Sequence, residues 1–237
     1  MTVEAIGNSS PRFRARMAGL CYLLMFLAGG LATFARRGLI ITGDAAATAT
    51  KIMAHQSSYL LGFAGDVLVV ATYVAVTALF YRMLKPVSRS VSLAAAFFSL
   101  VGCAIQAVAC LFELAPLTIL GGAHYLSAFN AVQLQSLAFM SLRLYSQTYG
   151  IALVFFAFFD LLTGYLIFNS TFLPRILGLF MMLGATGVTF LWPPFGARYF
   201  PYIVAGAIGE VLLTVWLLVK GVDSERWNEQ SRAAKAA

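Results

Sequence analysis

Four of the nine acidic residues, Asp66, Glu113, Asp160 and Glu210, fall inside long apolar runs. A charged side chain at the centre of a bilayer costs about 2.5–3.5 kcal/mol on insertion scales, so four central, unpaired carboxylates would cost on the order of 10 kcal/mol. Such residues face a protein interior or a water-filled cavity, where they mark ion, proton or substrate sites. The plainer reading is structural, a hydrogen bond from one helix to another. With about 1.5 Å of rise per residue, Asp66 lies about 10 Å inside its run. Glu210 lies near the middle of the last run, Asp160 in the inner half of the fourth, and Glu113 close to the outer surface of the third, where its cost is smaller. No Lys or Arg is central in any run. Hydrogen bonding or protonation must therefore carry these acids, unless Arg143 or Arg175 reaches in from an interface.

Helical spacing groups other polar residues with them. Ser99, Cys103, Gln106, Cys110 and Glu113 are separated by four, three, four and three, which is one helix face. A polar stripe on a membrane helix has no partners in lipid and is expected to face inward. Asp66 shares a face with Gly62, Tyr73 and Thr77, and Asp160 neighbours Thr163 and Gly164. Glu210 shares a face with Gly206, with Gly209 beside it, and small residues there let helices approach closely. The candidate binding or proton-linked residues are Asp66, Asp160, Glu210, Glu113, Gln106, Tyr73 and Arg143. Cys103 and Cys110 read as small buried hydrophobes. Other chemistry finds no support. His55 and His124 both lie in connections, and there is no metal-ligand spacing, H-E-x-x-H, G-x-S-x-G or phosphate-binding glycine loop. No catalytic residue, metal or cofactor is expected, and an enzyme is the weaker expectation.

The elements that must hold these residues follow from composition. The 237 residues are 61% apolar and 11% charged, against about 45–50% and about 25% in soluble domains. A span needs about 20 mostly apolar residues to cross the hydrocarbon core. Six stretches qualify: Met17–Ala35, Tyr59–Tyr81, Val91–Ile119, Gln147–Phe168, Ile176–Trp192 and Tyr202–Val219. The first follows Arg12, Arg14 and Arg16 as a signal peptide would, but its apolar run is longer than a signal core, which favours a retained helix. Proline and a base end helices at Leu84-Lys85-Pro86 and at Leu173-Pro174-Arg175. Asp44 sits at a helix N-cap before Ala45–Met53, and Ser127–Tyr145 mixes apolar with polar residues. Both segments read as amphipathic helices on the outer face. An outer helix, a span, a basic turn and a returning span recur at 44–119 and 126–192, an architectural pattern with little residue identity.

The net charge of +7 would raise nucleic-acid binding in a soluble domain, but these bases are scattered over loops and tails. They orient the helices instead. With the N-terminus inside, 11 of the 16 Lys and Arg fall on the inner side, and Arg36, Arg37, Lys51, Arg143 and Arg198 fall outside. The expected fold is all-α: one polytopic membrane bundle of six transmembrane helices, N-in and C-in, with two amphipathic outer-face helices. Residues 1–15 form a cytoplasmic tail, 16–220 the bundle and 221–237 a second cytoplasmic tail, in which Trp227 among charges is expected to rest on the inner leaflet.

Several segments resemble one family. They are Arg16-Met-Ala-Gly-Leu-Cys-Tyr22 entering the first span, Gly43-Asp-Ala-Ala-Ala47, Gly164-Tyr-Leu-Ile167, Leu173-Pro-Arg-Ile-Leu-Gly178, and Gly209-Glu210 ahead of Trp216–Gly221. In order and spacing, from about Arg14 to Val222, they resemble a family of bacterial membrane proteins catalogued as domain of unknown function 4386. The resemblance implies a prokaryotic multispan membrane protein and carries no catalytic residue with it. The expected setting is the bacterial inner membrane, with the lipid bilayer as partner and no nucleic acid. Three functions stand in order. The first is binding or transport of a small molecule or ion, a proton included, through a carboxylate-containing interior. The second is an accessory subunit of a larger membrane complex with a membrane protein partner. The third is an intramembrane enzyme acting on a lipid or quinone-like substrate.

Overall fold

A computed structural model describes residues 10–189 and 200–236. The chain runs through α1 (Pro11–Ala35), α2 (Ala45–Ala54), α3 (Gln56–Leu84), α4 (Arg89–Leu120), a 3₁₀ turn (His124–Leu126), α5 (Ala131–Phe168), α6 (Arg175–Thr189), α7 (Phe200–Val219) and α8 (Ser224–Ala236). No strand occurs among the described residues. The helices α1, α3, α4 and α5, of 25, 29, 32 and 38 residues, are long and apolar enough to cross a membrane. Large apolar side chains stay exposed on all four, among them Leu27, Val67, Leu111 and Leu161. Water penalises such surface in proportion to its area, whereas lipid does not. The protein is thus an all-helical membrane protein. The helices α6 and α7 occupy the expected fifth and sixth stretches. Trp192 at the end of the fifth stretch, Arg198, and the N-terminal tail up to Ser9 lie outside the described residues.

Local chemistry explains the helix ends. The Asp44 carboxylate accepts the Ala47 N–H at 2.8 Å and caps α2 as expected. The proline turns end α3 before Lys85 and start α6 at Arg175. The segment expected as a separate outer helix at Ser127–Tyr145 is instead the first half of α5. Its start is a reciprocal cap: Gln133 N–H donates to Asn130 Oδ1, and Asn130 N–H donates to Gln133 Oε1, both at 2.9 Å. From Ala131 to Phe168 no proline interrupts the hydrogen-bond ladder, so the amphipathic and apolar halves form one rod.

The described chain divides into two compact units. The first comprises the described residues of Met1–Leu23, Thr72–Gly102 and Leu153–Ala237. Its core is a chain of ring contacts. Tyr22 meets Tyr73 and Phe80 edge-on at 6.1 and 5.5 Å, and Phe159 meets Tyr73 and Phe80 at 5.9 and 6.2 Å. The helices α5 and α6 cross in backbone contact, since a Cβ at Gly178 would come 2.5 Å from the Gly164 carbonyl oxygen. Trp227 does not rest on the inner leaflet. It is buried, donates its indole N–H to the Met83 carbonyl at 2.8 Å, and lies under the Arg14 guanidinium. A buried indole needs that acceptor, and Met83 supplies it one residue before the end of α3.

The second unit comprises Leu24–Ala71 and Cys103–Ala152. Leu39, Ile52, Tyr59 and Leu142 form its core, with Leu117 packed against them.

Candidate functional site

The polar stripe of α4 is buried throughout, from Ser99 through Cys103, Gln106 and Cys110 to Glu113. At the Glu113 end of the stripe, in the second unit, lies a cluster of buried charges. Arg36 follows the last residue of α1, and its stem packs against Gly62 of α3. A Cβ at Gly62 would come 2.7 Å from Arg36 Cγ. The glycine thus leaves room for the arginine to turn inward, towards Asp66 one helical turn further on. Arg36 Nη1 donates to Asp66 Oδ2 at 2.6 Å and also to Glu113 Oε1. Tyr145 of α5 donates its hydroxyl to the same Asp66 oxygen at 2.9 Å, and its ring lies 5.7 Å from the guanidinium carbon. Tyr59 donates to the backbone carbonyl of Glu113 at 2.5 Å.

The cluster is unbalanced. With both carboxyls ionised, two negative charges face one guanidinium. The Glu113 side chain is 1% exposed, and its Oε2 has no hydrogen-bond partner among the described residues. A buried acceptor left unmade costs about 1–3 kcal/mol, and more when charged. Asp66 opens onto a cavity of about 870 Å³ that Phe26, Phe34, Gln106, Tyr145 and Tyr149 help to line. Small-molecule sites range from about 300 to 1,000 Å³.

The remaining acids meet in the first unit. Asp160 of α5 and Glu210 of α7 lie within hydrogen-bonding reach of each other, and Tyr22 lies within reach of Glu210 and Tyr73. Asp160 Oδ1 and Thr163 Oγ1 are buried with no hydrogen-bond partner among the described residues.

The seven candidates therefore separate. Asp66, Glu113 and Gln106 belong to the cavity unit, and Asp160, Glu210 and Tyr73 to the other. Arg143 joins neither group; it is exposed over the Phe139 ring at 5.4 Å. Arg175 lies over Phe168 at 5.9 Å. The base that reaches the acids is Arg36, which sequence reasoning counted as an outer-loop charge. Tyr145, Tyr59 and Tyr22 were missed as well. The signal available for Arg36 was its place immediately after an apolar span, together with Gly62 four residues before Asp66.

The fold and site define a helical membrane protein with a buried arginine–carboxylate cluster beside a cavity. The chain belongs to the family described as Domain of unknown function (DUF4386), whose sequence profile matches residues 17–221. It is similar to an uncharacterized protein of Archaeoglobus fulgidus, 27% identical over 161 residues that cover 66% of this chain and 82% of the relative. No solved structure matches the chain.

Proposed function

We propose that the protein binds a small molecule or ion in the cavity of its second unit and exchanges protons at its buried carboxyls, as a binding or transport protein of the bacterial plasma membrane. The observation that carries this reading is Arg36 shared between Asp66, which lines the cavity, and the buried Glu113. A buried ion pair matched one to one needs no further partner. Here one carboxylate is in excess, which a proton or a bound ligand can neutralise. The Asp160–Glu210 pair supports the same reading, because two buried carboxyls brought together in one unit form a place where a proton can be taken up and released.

The topology that suits this role has six spans with both termini in the cytoplasm, and it rests on the excess of bases in the connections assigned to the inner side. The cavity unit, with α2 and the start of α5, then lies toward the outer face.

The test is gentle extraction with native lipids followed by native mass spectrometry. Wild-type protein is expected to retain a small ligand that Asp66→Asn loses while still eluting as a folded particle. A stoichiometric protein partner with no small ligand would replace this reading with an accessory role. Retention of the same ligand by Asp66→Asn would remove the cavity from it.

A further inference from the structure

Resting on the ligand-binding reading above, we infer that the cavity of the second unit takes an organic ammonium cation, held by the Asp66 carboxylate and by aromatic rings around it. Charge gives the sign. Asp66 and Glu113 outnumber Arg36 within hydrogen-bonding distance, and both are largely withdrawn from water. An anion entering the cavity would have to take Arg36 from two carboxylates that already hold it. A cation meets the Asp66 carboxylate at the cavity wall, with the buried Glu113 on the same Arg36 Nη1 offsetting the guanidinium. Arg37 also lines the cavity, but it is exposed, so water screens its charge.

The lining gives the chemical class. Phe26, Phe34, Tyr145 and Tyr149 line the cavity, and the Tyr145 and Tyr149 rings are nearly parallel, with centroids 6.2 Å apart. Aromatic faces attract cations through the ring quadrupole, and such rings are the usual means of recognising quaternary ammonium groups. Tyr145 already shows this attraction, since the Arg36 guanidinium lies over its ring. A small inorganic ion would leave most of the about 870 Å³ empty and would need several oxygen ligands around it. An ammonium bearing apolar groups would use both Asp66 and the rings. Two sources share that chemistry, a free amine and the choline headgroup of a lipid.

The experiment is calorimetric titration of the full-length protein in a neutral maltoside detergent. The probes are benzyltrimethylammonium and its opposite-charge counterpart phenylmethanesulfonate. The cation is expected to bind and the sulfonate to show no heat. Asp66→Asn is expected to weaken the cation at least about tenfold, the loss of a desolvated charge contact. Tyr149→Leu, at a half-exposed position that spares the ion pair, is expected to weaken it several-fold and keeps the proposal testable where Asp66→Asn fails to fold. Repeating the titration in phosphatidylglycerol nanodiscs with and without phosphatidylcholine identifies the source. Competition by the choline lipid assigns the headgroup, and its absence assigns a free cation. Sulfonate binding as tight as the cation's, or cation affinity unchanged in both variants, overturns the assignment and leaves a ligand cavity of another kind. Binding of neither probe overturns this proposal. If extracted wild-type protein also carries no small ligand, the ligand-binding reading falls with it.

Discussion

Arg36 holds two carboxylates that come from different helices, 30 and 77 residues away along the chain. Removing one partner of a buried pair leaves an uncompensated charge and costs about 3–5 kcal/mol. Arg36→Gln is therefore expected to lower the thermal unfolding midpoint in detergent more than any other change in the cluster. Glu113→Gln should behave differently. It keeps an acceptor for Arg36, removes the excess negative charge and leaves Asp66 paired one to one, so the midpoint should move little. The double variant should recover part of the Arg36→Gln loss, and an additive result would show that Arg36 does not act through Glu113. The acids of this cluster were legible in the sequence, because an ionisable residue in an apolar run is rare and costly. Their partner was not. Arg36 stands at a span end, where a base is ordinarily solvated. Only the close approach that Gly62 allows turns it inward.

Helix ends obey local rules, and helix crossings obey packing. The Asp44 cap and the proline turns at Pro86 and Pro174 could be read from neighbouring residues and lie where expected. The continuity of α5 could not, because Gln133, Gln135, Ser136 and Arg143 lower the hydropathy of its first half without interrupting its helical period. The glycines make the same contrast. A Cβ at Gly178 would meet the Gly164 carbonyl oxygen at 2.5 Å and the Phe168 amide nitrogen at 2.6 Å, whereas one at Gly150 meets nothing within 4 Å. Backbone atoms cannot rotate away, so Gly178→Ala is expected to destabilise by about 1–3 kcal/mol as overpacking does. Gly150→Ala should stabilise by about 0.5–1 kcal/mol, since alanine has less freedom to lose in a helix. Thermal unfolding of the two variants side by side checks the pair. Equal shifts would mean that α5 and α6 do not meet at these glycines. In sequence both positions are simply glycines within apolar helices.

For the chain as a whole, the apolar content and the long runs require a membrane, and the exposed leucines and valines of α1, α3, α4 and α5 agree. The orientation proposed for it predicts labelling from opposite sides. In a variant lacking Cys21, Cys103 and Cys110, a cysteine placed at the exposed Thr50 of α2 should react with an impermeant maleimide in intact cells. One at the exposed Ala234 of α8 should react only after the membrane is opened. The reverse pattern would invert the topology and place the cavity unit on the cytoplasmic side.

Helical content, the membrane setting, most helix ends and the inward face of α4 were written in the residue order, because hydropathy, caps, prolines and helical period act over a few neighbouring positions. Which acids share Arg36, which face each other as Asp160 and Glu210 do, and that Trp227 docks on Met83 rather than on lipid were not. Coulomb attraction and hydrogen bonding depend on distances of a few ångströms between side chains. Residues 30 to 144 positions apart come within that range only once the helices have packed.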